Sequence, residues 1–126
     1  MMPYIYIAGP YTGKTHDHLS YYQIDSHIKQ AEEAAARLSL AGVGFFCPHK
    51  HSEHFEVIVP AVPPSYWYEL DIHFMRSCDA ILMLPGWQDS KGSLEEWRLM
   101  EEWGRPVFYS IEEVLSWVQK NLPSAP

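Results

Sequence analysis

Four short apolar runs constrain this chain more than anything else in it. YIYIAGP (4–10), VGFFCP (43–48), AILMLPG (80–86) and PVFYS (106–110) carry no charge, and each ends on glycine, proline or serine. A strand with one wet face would alternate apolar and polar residues. A continuous run suits a strand covered on both faces, as in a parallel sheet. Between the runs the apolar period changes. Ile24, Ile28, Ala31, Ala35 and Leu38 are spaced by four, three, four and three, which predicts an amphipathic helix that Gly42 stops. Further helices are expected at 65–77, 93–103 and 111–120. Strands alternating with helices predict an α/β fold around a parallel sheet.

Ligands of such sheets bind outside the C-terminal ends of the strands, where the strand order reverses. The segments leaving those ends are AGPYTGK, CPHKHSEHF, PGWQDSKG and YS, and a site is expected to be built from them.

At 126 residues there is room for one core, so residues 1–122 read as a single domain and 123–126 as a frayed tail. A net charge of −7 argues against binding to a nucleic-acid duplex, which needs a basic footprint, though not against one small nucleotide. Cys47 and Cys78 form no disulfide framework, so a cytoplasmic location is expected. No apolar run approaches the ~18 residues of a membrane span, and the N-terminus lacks a signal-peptide pattern. Aromatic residues make up 14% of the chain, more than a small core holds, so surplus rings are expected in a pocket or an oligomer contact.

Three motifs invite stronger readings. AGPYTGKT (8–15) resembles a P-loop, but Gly9 and Gly13 enclose three residues where that motif needs four, so an NTPase is excluded. Gly9, Gly13 and Lys14 still stand at a strand end, where a glycine turn permits close approach to a ligand. CPHKHSEH (47–54) offers Cys47, His49, His51 and His54, but in no structural zinc spacing. A polar loop over the site is expected, with no metal. Ser110 with Glu113 reads as a helix capping box.

Helical projection isolates two acids. On 93–103, Glu95 shares a polar arc with Arg98, Glu101 and Glu102, whereas Glu96 falls between Met100 and Trp103 on the apolar arc. On 65–77, Asp71 projects among Trp67, Leu70, Phe74 and Met75. A carboxylate buried without a partner costs several kcal/mol or takes up a proton, so two of them suggest a site in which they meet. Paired carboxylates suit cleavage of a glycosidic bond, one as nucleophile and one managing the leaving group's proton. Gly92 and the N-terminus of the 93–103 helix would admit a sugar's 5′ end or its phosphate.

At these residues the sequence resembles the nucleoside 2-deoxyribosyltransferase superfamily, including its small bacterial and phage members. The resemblance covers nearly the whole chain. It rests on YIAGPYTG (6–13), on Asp71 eight residues before Asp79, on LPGWQDSKG (84–92), and on a glutamate four residues after Gly92. It implies Glu96 as nucleophile, Asp71 in the active site, Ser90 at the sugar's 5′ end, and the 9–13 turn as a loop over sugar and base. Leu94 departs from the pattern, since many members carry glycine there. The His-rich loop and residues 57–68 differ as well.

The expected fold is therefore a flavodoxin-like (Rossmann-like) three-layer sandwich with a four- to five-stranded parallel sheet. The expected reaction is hydrolysis or transfer at the N-glycosidic bond of a (deoxy)nucleoside or its 5′-monophosphate, with Glu96 and Asp71 catalytic. Gly9, Pro10, Tyr11, Gly13, Lys14, Trp87, Asp89, Ser90 and Gly92 are expected to bind substrate, with Tyr6 among the rings that stack the base. No cofactor is expected. The expected partner is a small nucleoside or nucleotide, with no membrane, and the chain is expected to form a homo-oligomer, a dimer or larger. A nucleotide-binding sensor without turnover and a metal-dependent hydrolase using the histidines stay open as alternatives.

Overall fold

The computed structural model describes residues 2–11 and 21–121. Strands β1 (Tyr4–Ala8), β2 (Gly44–Phe46), β3 (Ala80–Met83) and β4 (Val107–Phe108) form one sheet in the order β2-β1-β3-β4, and every pairing is parallel. All four expected strands are present, each shorter than its apolar run. The molecule is an α/β three-layer fold of the flavodoxin-like kind.

The apolar runs divide their side chains between two layers. Ile5 and Ile7 of β1, with Ala80 and Leu82 of β3, pack against helices α1 (Tyr21–Leu40) and α6 (Ile111–Asn121). Tyr6, Ala8, Ile81 and Met83 point to the opposite face, where helices α4 (Pro64–Met75) and α5 (Lys91–Glu102) lie. The period-2 alternation of a strand, with both faces covered, explains why these runs carry no polar residues.

Helix α1 buries Ile24, Ile28, Ala31, Ala35 and Leu38, the five residues that defined its period. It ends at Gly42, whose φ of 75° is the left-handed conformation that glycine adopts without strain. The Val43 N–H bonds Leu38 O and the Gly42 N–H bonds Ser39 O, closing a Schellman motif. Asp79 fastens β3 to β1 at their N-terminal ends, accepting from the Tyr4 N–H at 2.8 Å and donating its own N–H to Tyr4 O at 2.7 Å.

Two expectations need correction. The His-rich segment is not an irregular loop. Pro48 opens a one-turn helix α2 (Pro48–His51), His54 adopts φ 62°, and α3 (Phe55–Ile58) follows. A helix of four residues is too short to show any period in sequence. The second correction concerns α5, which begins at Lys91, two residues before the expected start. Ser90 is its N-cap and accepts the Ser93 N–H at 3.2 Å. Gly92 is thus in the first helical turn rather than in a free loop. At the other end of the chain, Ser110 caps α6 by accepting the Glu113 N–H, and the Glu113 carboxylate reaches back to the Tyr109 N–H. This is the capping box expected, shifted by one residue on its return bond.

Candidate active site

Strand order reverses between β1 and β3, because the chain leaves β1 outward to β2 and then crosses back. The crevice at their C-terminal ends is where such folds bind ligands. On the α4/α5 side of that crevice three polar side chains converge. Tyr6, from the middle of β1, is 0% exposed, and its hydroxyl donates to Oε2 of Glu96 on α5. Asp71 reaches in from α4, close enough that its charge acts on both Glu96 and Tyr6.

The projection that set Glu96 apart from Glu95 describes the geometry well. Glu95 faces outward and pairs with Arg98, which holds its carboxyl below the ordinary range. Tyr68 of α4 adds a hydroxyl contact to Glu95. Glu96 points to the sheet and is half-buried. Loss of hydration raises its pKa, the Tyr6 hydrogen bond opposes that rise, the Asp71 charge adds to it, and the outcome is about 8. Burial alone lifts Asp71 to about 7, and its Oδ1 is buried with no hydrogen-bond partner. Burial also lifts the Tyr6 phenol, next to the Glu96 charge, well above its ordinary value, so it stays a donor at any working pH. Acids shifted by burial and by each other's charge in a strand-end crevice are candidates for a functional site.

Tyr6 does not stack a base. It is enclosed, and its role is to hold one oxygen of Glu96 while leaving the other free. A tyrosine fully buried in a strand needs a partner for its hydroxyl, and Glu96 supplies it.

The other sequence-predicted residues divide into groups. Gly9 and Pro10 form the exit of β1. A Cβ on Gly9 would sit 2.9 Å from Leu84 Cβ, so the glycine lets the β1 and β3 exits close on each other. Pro10 packs beside Gly86, whose φ is 90°. Tyr11 is tied down at both ends: its carbonyl accepts from His27 Nδ1 at 2.9 Å, and its hydroxyl donates to Glu56 and accepts the His54 N–H at 2.7 Å. Trp87 stacks on Trp97, with Tyr109 alongside, at the β3 and β4 exits. Asp89 is exposed in the 3-10 turn Trp87–Asp89. Ser90 spends a lone pair on the α5 cap and keeps its O–H to donate. At Gly92 a Cβ would meet nothing within 4 Å, which leaves open space above the first turn of α5. Gly13 and Lys14 lie outside the described residues.

His49 was missed as an individual residue. It is 5% exposed, and its Nε2–H donates to Pro10 O at 2.9 Å, so the turn after β2 holds the exit of β1. Burial lowers its pKa and keeps the ring neutral. The histidines thus buttress the crevice wall. Among the described residues no three of histidine, cysteine, aspartate and glutamate converge where a metal ion could sit.

Residues 3–112 match the model of one protein family, described as a domain of unknown function (DUF1937). No curated protein matches the chain.

Proposed function

The chain belongs to the DUF1937 family, and for this member we propose cleavage or transfer at the N-glycosidic bond of a (deoxy)nucleoside or its 5′-monophosphate. The observation that carries the reading is the Tyr6–Glu96 hydrogen bond, with Asp71 close by at the strand-order reversal. The motif resemblance to nucleoside 2-deoxyribosyltransferases supports the same assignment from spacing alone.

Carboxyl pKa values of about 7 and about 8 mean that near neutral pH the pair retains at least one proton. The Tyr6 donation is already part of the Glu96 value, which stays the higher of the two, so ionised Glu96 with protonated Asp71 is the minority form, and positive charge developing at C1′ of a bound sugar draws on it. The free Oε1 of Glu96 attacks C1′. The C1′–N bond breaks, its electron pair goes to the base, and Asp71 gives the base its proton. In the second half, ionised Asp71 takes a proton from water, whose oxygen attacks C1′ and releases Glu96. A second base in place of water gives transfer. Two displacements at one carbon predict overall retention of configuration. Ser90, Gly92 and the α5 N-terminus face the sugar's 5′ end in this reading, and Trp87 lies on the side of the base.

The test is incubation with a panel of nucleosides and 5′-monophosphates, with and without an acceptor base, following free base by chromatography. Glu96→Ala should abolish release and Glu95→Ala should retain it. A slow 2′-fluoro substrate should add one glycosyl mass to a peptide containing Glu96. Release that survives Glu96→Ala but not Glu95→Ala overturns the residue assignment. Nucleotide binding with no base released from any substrate favours a sensor of the same fold.

A further inference from the structure

Helix α5 carries a second polar side chain on the face that holds Glu96. Ser93, Glu96 and Met100 follow one another at steps of three and four, which puts them on one stripe turned toward the sheet. Ser93 is 1% exposed and Met100 0%, so that face is covered from the first turn of the helix onward. The Ser93 N–H is engaged in the Ser90 cap, but its Oγ is buried with no hydrogen-bond partner among the described residues. Asp71 Oδ1 is orphaned in the same way. One orphan thus reaches in from α4, and the other stands one turn from Glu96 on α5.

A serine in such a place is unfavourable twice over. Its enclosed hydroxyl gives up its hydrogen bonds to water, and alanine is a better helix former of nearly the same size. A helical serine commonly escapes by bonding the carbonyl one turn earlier, and Ser93 does not. Stereochemistry names a partner for it. A nucleophile that displaces the base of a β-nucleoside approaches C1′ from the opposite face of the sugar, and the 2′- and 3′-hydroxyls of ribose project from that same face. Along the α5 axis Ser93 lies about 4.5 Å before Glu96 and about 1.5 Å past Gly92. It therefore stands between the group placed against C1′ and the turn placed at the 5′ end. The 2′-hydroxyl adjoins C1′ and falls to Glu96 itself. The 3′-hydroxyl, on the carbon next to C4′, is the one nearer that turn.

We propose that Ser93 determines sugar specificity: its hydroxyl hydrogen-bonds the 3′-hydroxyl of a bound nucleoside and makes that group a condition of productive binding. The inference rests on the glycosidic reading for the placement of the sugar, and it names the part of the sugar that is recognised. Ribonucleosides and 2′-deoxyribonucleosides both satisfy it, whereas a sugar without the 3′-hydroxyl leaves Ser93 unpaired and is refused. Ser93 Oγ and Asp71 Oδ1 are both enclosed, so seating a sugar against the carboxyl pair requires the same local shift at each.

The experiment compares the ribo, 2′-deoxy and 3′-deoxy forms of adenine and uracil nucleosides on the unmodified chain and on Ser93→Ala, following free base by chromatography. Binding of the same compounds to Glu96→Gln, with and without Ser93→Ala, is measured by calorimetry. On the unmodified chain, removing the 3′-hydroxyl should lower kcat/KM by about tenfold or more. Ser93→Ala should lose a similar factor on the ribo and 2′-deoxy forms and nothing further on the 3′-deoxy form, a pattern that a general loss of packing does not give. Alanine also removes an unpartnered hydroxyl and favours the helix, so this variant should melt no lower than the parent. Equal losses on all three forms, discrimination at the 2′ position instead, or a melt well below the parent's, as for a hydroxyl satisfied by an enclosed water, would each overturn the proposal. Discrimination in binding with no base released would sink the glycosidic reading and keep Ser93 in its role. Release without discrimination would do the opposite, and neither release nor binding would end both.

Discussion

The hydroxyl of Tyr6 donates to Oε2 of Glu96, joining the centre of the first strand to the second turn of a helix ninety positions later in the chain. Tyr6 is fully buried and Glu96 half-buried, and the hydroxyl is the one hydrogen bond that favours the ionised form of the glutamate. Tyr6→Phe keeps the ring and deletes that bond. In the glycosidic reading it should reduce kcat/KM by about 10²-fold, the usual scale for removing one preorganised donor. Because the bond lowers the proton affinity of Glu96, whose value is the higher of the pair, its loss should also move the alkaline limb of the pH–rate profile to higher pH. A profile that drops in height without shifting would mean that Tyr6 only fills space.

The two carboxyls set the pH dependence of activity. One must be ionised and the other protonated, and their values are about 7 and about 8. The profile should be a narrow bell with its maximum between these values, reported as properties of the pair. Asp71→Asn removes the proton donor. The alkaline limb should then disappear, leaving a curve that rises with pH as Glu96 ionises. Activity on a pyridinium nucleoside should be largely spared, since that base departs neutral and needs no proton. Equal losses on pyridinium and purine substrates would remove Asp71 from the role of acid.

Both acids also make stability depend on pH, with a definite sign. Their pKa values are raised in the folded state, so folding binds protons more tightly than the unfolded chain does. The contribution is fully present below about 4, where both states are protonated, and is lost as pH rises through about 7 and about 8. Glu96→Gln should therefore unfold at higher urea than the parent at pH 8.5, by about 1–3 kcal/mol, and at nearly the same urea at pH 4. A glutamate kept only for packing and hydrogen bonding would show the reverse, a loss of stability at pH 8.5.

Much of this was legible before any coordinates, and the rest was not for physical reasons. Ile5 to Ala8 and Ala80 to Met83 declared themselves because a strand buried on both faces admits only apolar residues. Glu96 stood out from Glu95 because one step along a helix is a rotation of about 100°. The partner of Glu96 was not legible, since nothing local in YIYIA says which way Tyr6 faces or what lies ninety residues on. The same holds for His49. Its burial comes from a four-residue helix and a contact with Pro10, both products of tertiary packing. The start of α5 was misread because Gly92 suggests a turn, while Ser90 already supplied the cap.

Gly92 offers a way to separate folding from binding at one atom. It sits in the first turn of α5 with no left-handed φ, and a Cβ there would touch nothing within 4 Å. Alanine should therefore be accepted by the free protein and should stabilise it by about 0.5–1 kcal/mol, the difference in helix propensity. The empty space beside it has a second meaning if a sugar's 5′ end occupies it. The added methyl would then meet the ligand, and KM should rise about tenfold or more while kcat changes less, because the group excluded is remote from C1′. Gly9→Ala is the contrasting control. Its Cβ would lie 2.9 Å from Leu84 Cβ, and with no flexible side-chain end to yield, about 1–3 kcal/mol should be lost. Thermal melts and steady-state kinetics on the two variants distinguish the cases. A stabilised Gly92→Ala with unchanged KM would place the 5′ end elsewhere, and leave this glycine with no part in binding.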